Sequence, residues 1–344
     1  LFLKVTGASG ETAVAARQYM FWILLGSPFV MLKFTMVQLV RGEGGARQAM
    51  YGLVIGTVTN IILDPIFIFG FKMGVTGAAI ATVIGQGLAM CYFIRYYLSK
   101  QAVAAPALRF LRLRWEIYRE ILLIGVPSSL SQVMMGIGNT ISYNLASAYG
   151  VSAVAALGVA SRVFSIPIFV FIGVSIGVQA LIGFNYGAGN YPRMKKAIST
   201  AVMINLSLSV VFTLLFVLFP RQLISMITPI KQTVEIGRQV IGAYLYAIPF
   251  AGVGMIMMNS LQAMGKALPA FIVSISRQGL AYIPALLLLN RFFGFDGLIF
   301  AMPLSDFVTT LLSGIFVISI LSRLKHHPAP SFQEFSQPQP ADEI

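Results

Sequence analysis

The stretch NIILDPIFIFG places two oxygen-bearing side chains inside an otherwise apolar run. Asn60 and Asp64 are spaced so that in a helix they lie one above the other on the same face. Pro65 lacks a backbone N–H, so it is expected to kink the helix and to free a carbonyl one turn earlier. A carboxylate, an amide oxygen and a freed carbonyl are hard oxygen ligands that suit Na⁺. A carboxylate withdrawn from water can also carry a proton. The stretch therefore predicts a site for Na⁺ or H⁺.

Thr82, in the next apolar run, is predicted to join this site. Asp64 shortly precedes the turn at 70–74 and Thr82 shortly follows it, so at 1.5 Å per residue both lie roughly 10 Å below the membrane surface. Close packing of the two helices is favoured by small residues on the second one: Gly77, Ala78 and Ala81. An alternative stays open, in which Asn60 holds a neutral Asp64 and the pair only fixes the kink at Pro65.

Other ionisable side chains also fall inside apolar runs, where burial is costly and each is a candidate for function. Asp306 is either a proton site or one half of an ion pair with Arg277 or Arg162. The two arginines are expected to line the interior of a helical lobe, either as structural partners or as functional groups. Gln86 is a secondary candidate because an internal repeat aligns it with Asp306. No transition-metal site is predicted, since the two histidines are adjacent in the tail and the chain has one cysteine.

The elements that must position these residues are membrane helices. Hydrophobic residues make up 57% of the 344-residue chain and charged residues only 10%, against about 25% charged in soluble domains. The net charge of +13 is spread in short basic clusters between apolar runs, which is typical of cytoplasmic loops and not of a nucleic-acid-binding surface. The composition therefore excludes most soluble folds and predicts an all-α polytopic membrane protein.

Spanning a bilayer takes roughly 20 apolar helical residues. Nine stretches qualify: 14–40, 50–70, 75–98, 118–148, 153–184, 195–219, 238–263, 269–290 and 296–322. We predict four regions: the last three helices of an N-terminal lobe (1–98), a cytoplasmic linker (99–117), a C-terminal six-helix lobe (118–322) and a disordered cytoplasmic tail (323–344). The tail is rich in proline and glutamine.

An internal repeat sets the expected symmetry. The spacing that separates Pro28 from Pro249 also separates Gly44 from Gly265. With a slip of one residue, three small residues of the first half match three of the second: Gly74, Gly77 and Ala81 match Gly294, Gly297 and Ala301. An even number of helices lies between the copies, so both point the same way and a parallel pseudo-two-fold is predicted. Residues 118–223 have no upstream partner, so we expect that three helices of a twelve-helix, two-lobe protein precede Leu1.

The orientation follows from the basic residues. If the loop 41–47 is cytoplasmic, the cytoplasmic side collects most of the Lys and Arg residues found in loops. The C-terminus is then cytoplasmic as well. We expect a multi-pass protein of a bacterial inner membrane, and nothing in the sequence resembles a cleavable signal peptide.

At these residues the sequence resembles the multidrug and toxic compound extrusion (MATE) family. The strings that carry the resemblance are LVRGEGGARQAM, NIILDPIFIFGFKMGVTGAAIATVIGQ, IGFNYGAGNYPRMKKA and LQAMGKALPA. The resemblance implies a monomeric antiporter of twelve helices that exports small amphipathic organic cations in exchange for Na⁺ or H⁺ by alternating access, with no cofactor besides the ion. It also implies that Asn60, Asp64 and Thr82 belong to the first-lobe cation site, together with an Asp on a first helix.

The resemblance is incomplete in the second lobe. Some relatives carry an acidic residue on the seventh helix, whereas this chain has none between Glu120 and Gly150. That puts a second-lobe cation site in doubt and leaves Asp306 as its remaining candidate.

Two other functions are alternatives to the transport of cations. A lipid-linked oligosaccharide flippase would need an arginine-rich groove, for which only Arg162 and Arg277 are available. An intramembrane enzyme would need a catalytic dyad or a metal motif at membrane depth, and the sequence offers neither. The chain is therefore predicted not to be an enzyme.

Overall fold

A computed structural model of the protein describes residues 10–99 and 114–324, and within these ranges the regular secondary structure is entirely helical, with short turns between the helices. The chain divides into two compact units, Leu1–Arg112 and Leu113–Ile344. The boundary falls inside the stretch 99–117 that the sequence marks as a linker. Most of that linker lies outside the described residues. Of the predicted tail, the structure describes only Arg323, which ends the last helix, and Leu324.

The first unit contains three long helices. Their bounds are α1, Gly10–Gly42; α2, Ala46–Pro65, which continues as a π-helical turn over Ile66–Gly70; and α3, Gly74–Leu98. Each coincides with a predicted apolar stretch and begins one to four residues before it.

The second unit contains eight helical segments. They are α4, Trp115–Ser147; α5, Val151–Gly187; α6, Tyr191–Leu218; α7, Pro220–Ser225; α8, Lys231–Tyr244; α9, Ala247–Ala263; α10, Ala267–Ile275, followed by a π-helical turn over Ser276–Leu280; and α11, Tyr282–Arg323. Phe171, Ile248 and Leu286 are fully buried at the centre of its apolar core.

Six helices in the described residues are long and apolar enough to cross a membrane, or seven if the bent pair α8 and α9 forms one span. The predicted count of nine is therefore not confirmed. The predicted span 238–263 is in fact two helices that meet at a bend of 49°. Two further differences lower the count. Helix α4 is not among the six, and residues 267–323, which comprise 57 residues, are counted as one span.

Gly294 breaks the long helix α11 between the predicted spans 269–290 and 296–322, where the sequence predicts a loop. Its φ of 61° and ψ of −137° are not helical, and only glycine adopts such a conformation readily. A side chain at Gly297 would overlap the carbonyl oxygen of Leu289. In a straight helix, two residues with this separation in sequence would lie about 12 Å from each other. The chain therefore turns back on itself at Gly294, and a one-residue break replaces the predicted loop.

The same turn occurs in the first unit, at the positions that the repeat aligns. Gly74 has a φ of 55° and Gly294 a φ of 61°. Three residues later, Gly77 abuts the backbone of Phe67, as Gly297 abuts that of Leu289. Each turn is thus a glycine in the left-handed region followed by a second glycine that lets the returning helix touch the one before it.

Small residues bring α2 and α3 together along most of their length. A side chain at Gly85 would lie 2.6 Å from the carbonyl oxygen of Gly56, so the two backbones are in contact there. At Gly52 the ring of Phe93 occupies the space that a side chain would need. Because Asn60 follows Gly56 by one turn, this contact fixes the distance between the polar residues of the two helices.

Candidate functional site

Asn60 links the side chains of Asp64 and Thr82 in the first unit. Its amide nitrogen donates to Oδ1 of Asp64 at 3.1 Å and lies 3.3 Å from Oγ1 of Thr82. The Thr82 hydroxyl in turn donates to the carbonyl of Ala78 at 2.9 Å. The structure thus brings together the three residues that helix spacing and hairpin depth predict to converge.

The backbone around the cluster explains its geometry. The aligned pair Asn60 and Asp64 comes from the α-helical spacing, and α3 reaches Asn60 closely because Gly85 has no side chain. A Cβ at Gly85 would lie 3.5 Å from the Cβ of Asn60. Pro65 is the last residue of α2, and the π-helical turn begins directly after it, with the N–H of Phe71 donating to the carbonyl of Ile66 at 2.9 Å. Such π-turns are frequent at functional sites.

The charge of Asp64 has no basic partner among the described ion pairs. Its described hydrogen bond comes from the Asn60 amide, which also contacts the Thr82 hydroxyl, and all three side chains are half-buried. The amide nitrogen of Asn60 stands between the two oxygens. If the Asn60 amide rotated by half a turn, its oxygen would face the oxygens of Asp64 and Thr82. A cation could then bind among three oxygen ligands.

Gln86 lies one turn beyond Thr82 on α3. Its Oε1 atom is buried and has no hydrogen-bond partner in the described part of the chain. A buried carbonyl oxygen without a partner is costly, so this atom is available to a water or a cation. The face of α3 that carries Thr82 therefore offers a second oxygen ligand one turn further along.

Asp306 has a different environment, in the second unit. Its Oδ1 accepts from Nε of Arg277 at 2.7 Å, and the exposed fraction of the Asp306 side chain is only 3%. The neighbouring Ser305 hydroxyl donates to the carbonyl of Arg277 at 2.7 Å. Of the two arginines that the sequence leaves open as partners, the structure brings Arg277 to Asp306. Arg162 has an exposed side chain on α5, so it does not line the packed interior of this unit.

Thr309 is a polar residue of this region that the sequence reasoning missed. Its hydroxyl and the Oδ2 atom of Asp306 are buried without a hydrogen-bond partner among the described residues. Both residues border a small cavity between α9 and α11. The spacing of Asp306 and Thr309, about one helical turn, is the signal that could have identified the pair. Two such atoms can be satisfied by an ordered water.

Comparisons with known proteins agree with this architecture. A family model described as MatE matches residues 127–287. Multidrug export protein MepA of Staphylococcus aureus (strain MSSA476) is 30% identical over 323 residues, which are 93% of this chain and 70% of that protein. The protein of the same name from Staphylococcus saprophyticus is 30% identical over 318 residues, which are 92% of this chain and 70% of the relative.

Solved structures share the fold. A crystal structure of MATE in the bent conformation superposes with a TM-score of 0.83 at 25% identity, over 96% of this chain and 74% of the other. A crystal structure of a mutant of the Vibrio cholerae MATE transporter VcmN gives a TM-score of 0.84 at 23% identity, over 93% and 73% of the two chains.

Proposed function

This chain belongs to the multidrug and toxic compound extrusion (MATE) family, and on that premise we propose that it works as a secondary antiporter. It is a multi-pass membrane protein of a multidrug efflux family. In our proposal it exports small amphipathic organic cations in exchange for Na⁺ or H⁺. The coupling ion is the only cofactor, and no chemical reaction is catalysed.

The observation that carries the proposal is the cluster of Asn60, Asp64 and Thr82. A carboxylate inside a membrane is tolerable only with a positive charge or hydrogen-bond donors beside it. Asp64 receives its donor from the Asn60 amide, 3.1 Å away, and no described ion pair includes it. We therefore assign Asp64 as the residue whose charge is neutralised reversibly, by Na⁺ or by a proton.

The coupling step follows from how the cluster is held. When the cation arrives, the Asn60 amide rotates, and its nitrogen no longer donates to Asp64. The hydrogen bonds that tie α2 to α3 at this level are exchanged for bonds to the ion. Because Pro65 and the π-helical turn lie directly next to Asp64, this exchange changes the end of α2 first. In an alternating-access cycle that change releases the organic cation to the outside.

The arrangement in the membrane is part of the proposal. The two glycine turns, at Gly74 and Gly294, support two lobes related by a parallel pseudo-two-fold. Adding α4, taking α8 with α9 as one span, and dividing residues 267–323 into two spans at Gly294 gives nine spans in the described part of the chain. We place the protein in a bacterial inner membrane as a monomer, with the C-terminus in the cytoplasm, because the basic loops favour that side.

The experiment is gradient-driven efflux from liposomes. The purified protein is reconstituted, a fluorescent organic cation is enclosed, and an inward gradient of Na⁺ or of H⁺ is imposed. One gradient is expected to drive efflux, and an ionophore that dissipates it should stop the efflux. Efflux at the same rate with neither gradient would contradict the proposal.

The same liposomes test the flippase alternative. Arg277 is already engaged with Asp306, which leaves Arg162 as the one predicted arginine free to meet a pyrophosphate. We therefore expect no translocation of a fluorescent lipid-linked oligosaccharide. Translocation of that lipid without efflux of the organic cation would favour the flippase.

A further inference from the structure

A groove of about 870 Å³ runs between α5 and α6 of the second unit. Along most of its length the walls are apolar, formed by Val174, Val178 and Leu181 of α5 and by Ile204 of α6. At one end the lining changes to Arg193 and Lys196, in the first turns of α6. The groove therefore has a long apolar part and one cationic end.

The cationic end is not neutralised within the described part of the chain. None of the residues that line the groove is acidic, and neither Arg193 nor Lys196 belongs to a described ion pair. Both side chains are exposed. Asn190 caps α6 by accepting the backbone N–H of Arg193 at 3.2 Å, so the backbone that carries the two cations is held in place.

The dimensions of the groove match one leaflet of a membrane. Arg193, Lys196, Thr200 and Ile204 recur at helical spacing on one side of α6. From Arg193 to Ile204 the helix rises by roughly 16 Å, and half of the hydrocarbon core of a bilayer is roughly 15 Å thick. A headgroup at the cationic end would therefore leave an acyl chain in contact with the apolar walls.

We propose that this groove binds an anionic phospholipid, with the phosphate between Arg193 and Lys196 and one acyl chain along Val178 and Leu181. The inference goes beyond the proposed antiport, because the groove lies outside the Asp64 cluster. Its charge excludes the organic cations that the protein is proposed to export. Basic pockets between membrane helices on the cytoplasmic side are suited to anionic headgroups, and the proposed orientation places Arg193 on that side.

The test is native mass spectrometry of the full chain in detergent, with added phosphatidylglycerol or with phosphatidylcholine of the same acyl chains. Wild-type protein should retain phosphatidylglycerol in preference to phosphatidylcholine. In the double variant Arg193→Gln/Lys196→Gln the retained phosphatidylglycerol should fall about thirtyfold, towards the level of phosphatidylcholine. The double variant Lys231→Gln/Arg291→Gln is the matched control, because it removes two exposed charges elsewhere in the same unit, and it should bind as the wild type does.

A second variant tests the apolar part without changing the charge. A Cβ at Gly177 would meet no atom within 4 Å, and Gly177 lines the groove, so we expect Gly177→Phe to fold and to place its ring there. It should lower the retention of phosphatidylglycerol even though both cations remain. Unchanged retention in either this variant or Arg193→Gln/Lys196→Gln would overturn the proposal. Equal retention of the two lipids, or displacement of phosphatidylglycerol by inorganic phosphate alone, would overturn it too.

Discussion

Asp64 and Asp306 are both carboxylates within apolar helices, yet the two units surround them differently. In the second unit, Asp306 is 3% exposed and lies 2.7 Å from the guanidinium of Arg277. In the first unit, Asp64 is half-buried and contacts an amide. The charge of Asp306 is therefore balanced by an arginine of the protein, whereas that of Asp64 is left to be balanced by a bound cation or a proton.

This difference indicates what each carboxylate is suited to do. A buried carboxylate that is paired with an arginine is difficult to separate from it, since either charge alone would be left without a partner in a low-dielectric interior. A carboxylate beside neutral groups can exchange one cation or proton for another without breaking an ion pair. The first arrangement suits a fixed contact between α11 and the π-helical turn that carries Arg277, and the second suits ion coupling.

The largest expected effect on stability comes from breaking the pair in the second unit. Arg277→Met leaves Asp306 buried without its counter-charge and should lower the free energy of unfolding by about 3–5 kcal/mol. Thermal melting in detergent measures the loss. The double variant Arg277→Met/Asp306→Leu should recover most of it, because no buried charge remains. If Arg277→Met melts as the wild type does, the pair is not the fixed contact that we describe.

A smaller effect is expected from the seam between α2 and α3. Gly85→Ala would place a methyl group 2.6 Å from the carbonyl oxygen of Gly56, so the helices must separate at a cost of about 1–3 kcal/mol. Gly87→Ala, on the same helix, meets no atom within 4 Å and should be neutral or slightly stabilising. Equal melting temperatures for the two variants would show that the seam does not hold the cluster together.

The neutral ligands should affect ion binding more than folding. Asn60→Ala and Thr82→Ala each remove one oxygen ligand, and each should weaken ion affinity by about 1–3 kcal/mol. Isothermal titration with Na⁺, or the pH dependence of efflux if the ion is H⁺, measures the change. Thr57→Ala is the control, because the Thr57 hydroxyl donates to the carbonyl of Leu53 on the same helix and lies outside the cluster. Ion affinity that falls equally in the control would mean that the cluster is not the site.

The Asn60, Asp64 and Thr82 cluster could be placed from the sequence because it depends on local rules. The spacing on α2 aligns Asn60 with Asp64, and a short turn sets the depth of Thr82 in the following helix. The internal repeat also aligns the glycines of the two turns. Gly74 and Gly294 occupy matching positions of the repeat, and both have positive φ.

Other features depended on contacts between distant parts of the chain. The sequence left Arg162 and Arg277 as equal partners of Asp306, because only the packing of α11 against the π-helical turn decides between them. It predicted a loop between the spans 269–290 and 296–322, where one glycine suffices to reverse the chain. It also did not reveal the bend between α8 and α9, or that Thr309 is buried beside Asp306 without a partner among the described residues.

The claim that Asp64 couples ion entry to efflux is tested most directly by comparing two isosteric variants under the same gradient. Asp64→Asn and Asp306→Asn each remove one negative charge and keep the shape of the side chain. Both proteins are reconstituted at equal amounts after size-exclusion chromatography, below the melting temperature of the less stable one. Asp64→Asn should bind the fluorescent organic cation and show no gradient-driven efflux. Asp306→Asn should keep gradient-driven efflux. Efflux by Asp64→Asn at the wild-type rate, with Asp306→Asn inactive, would place the coupling site in the second unit and contradict our account.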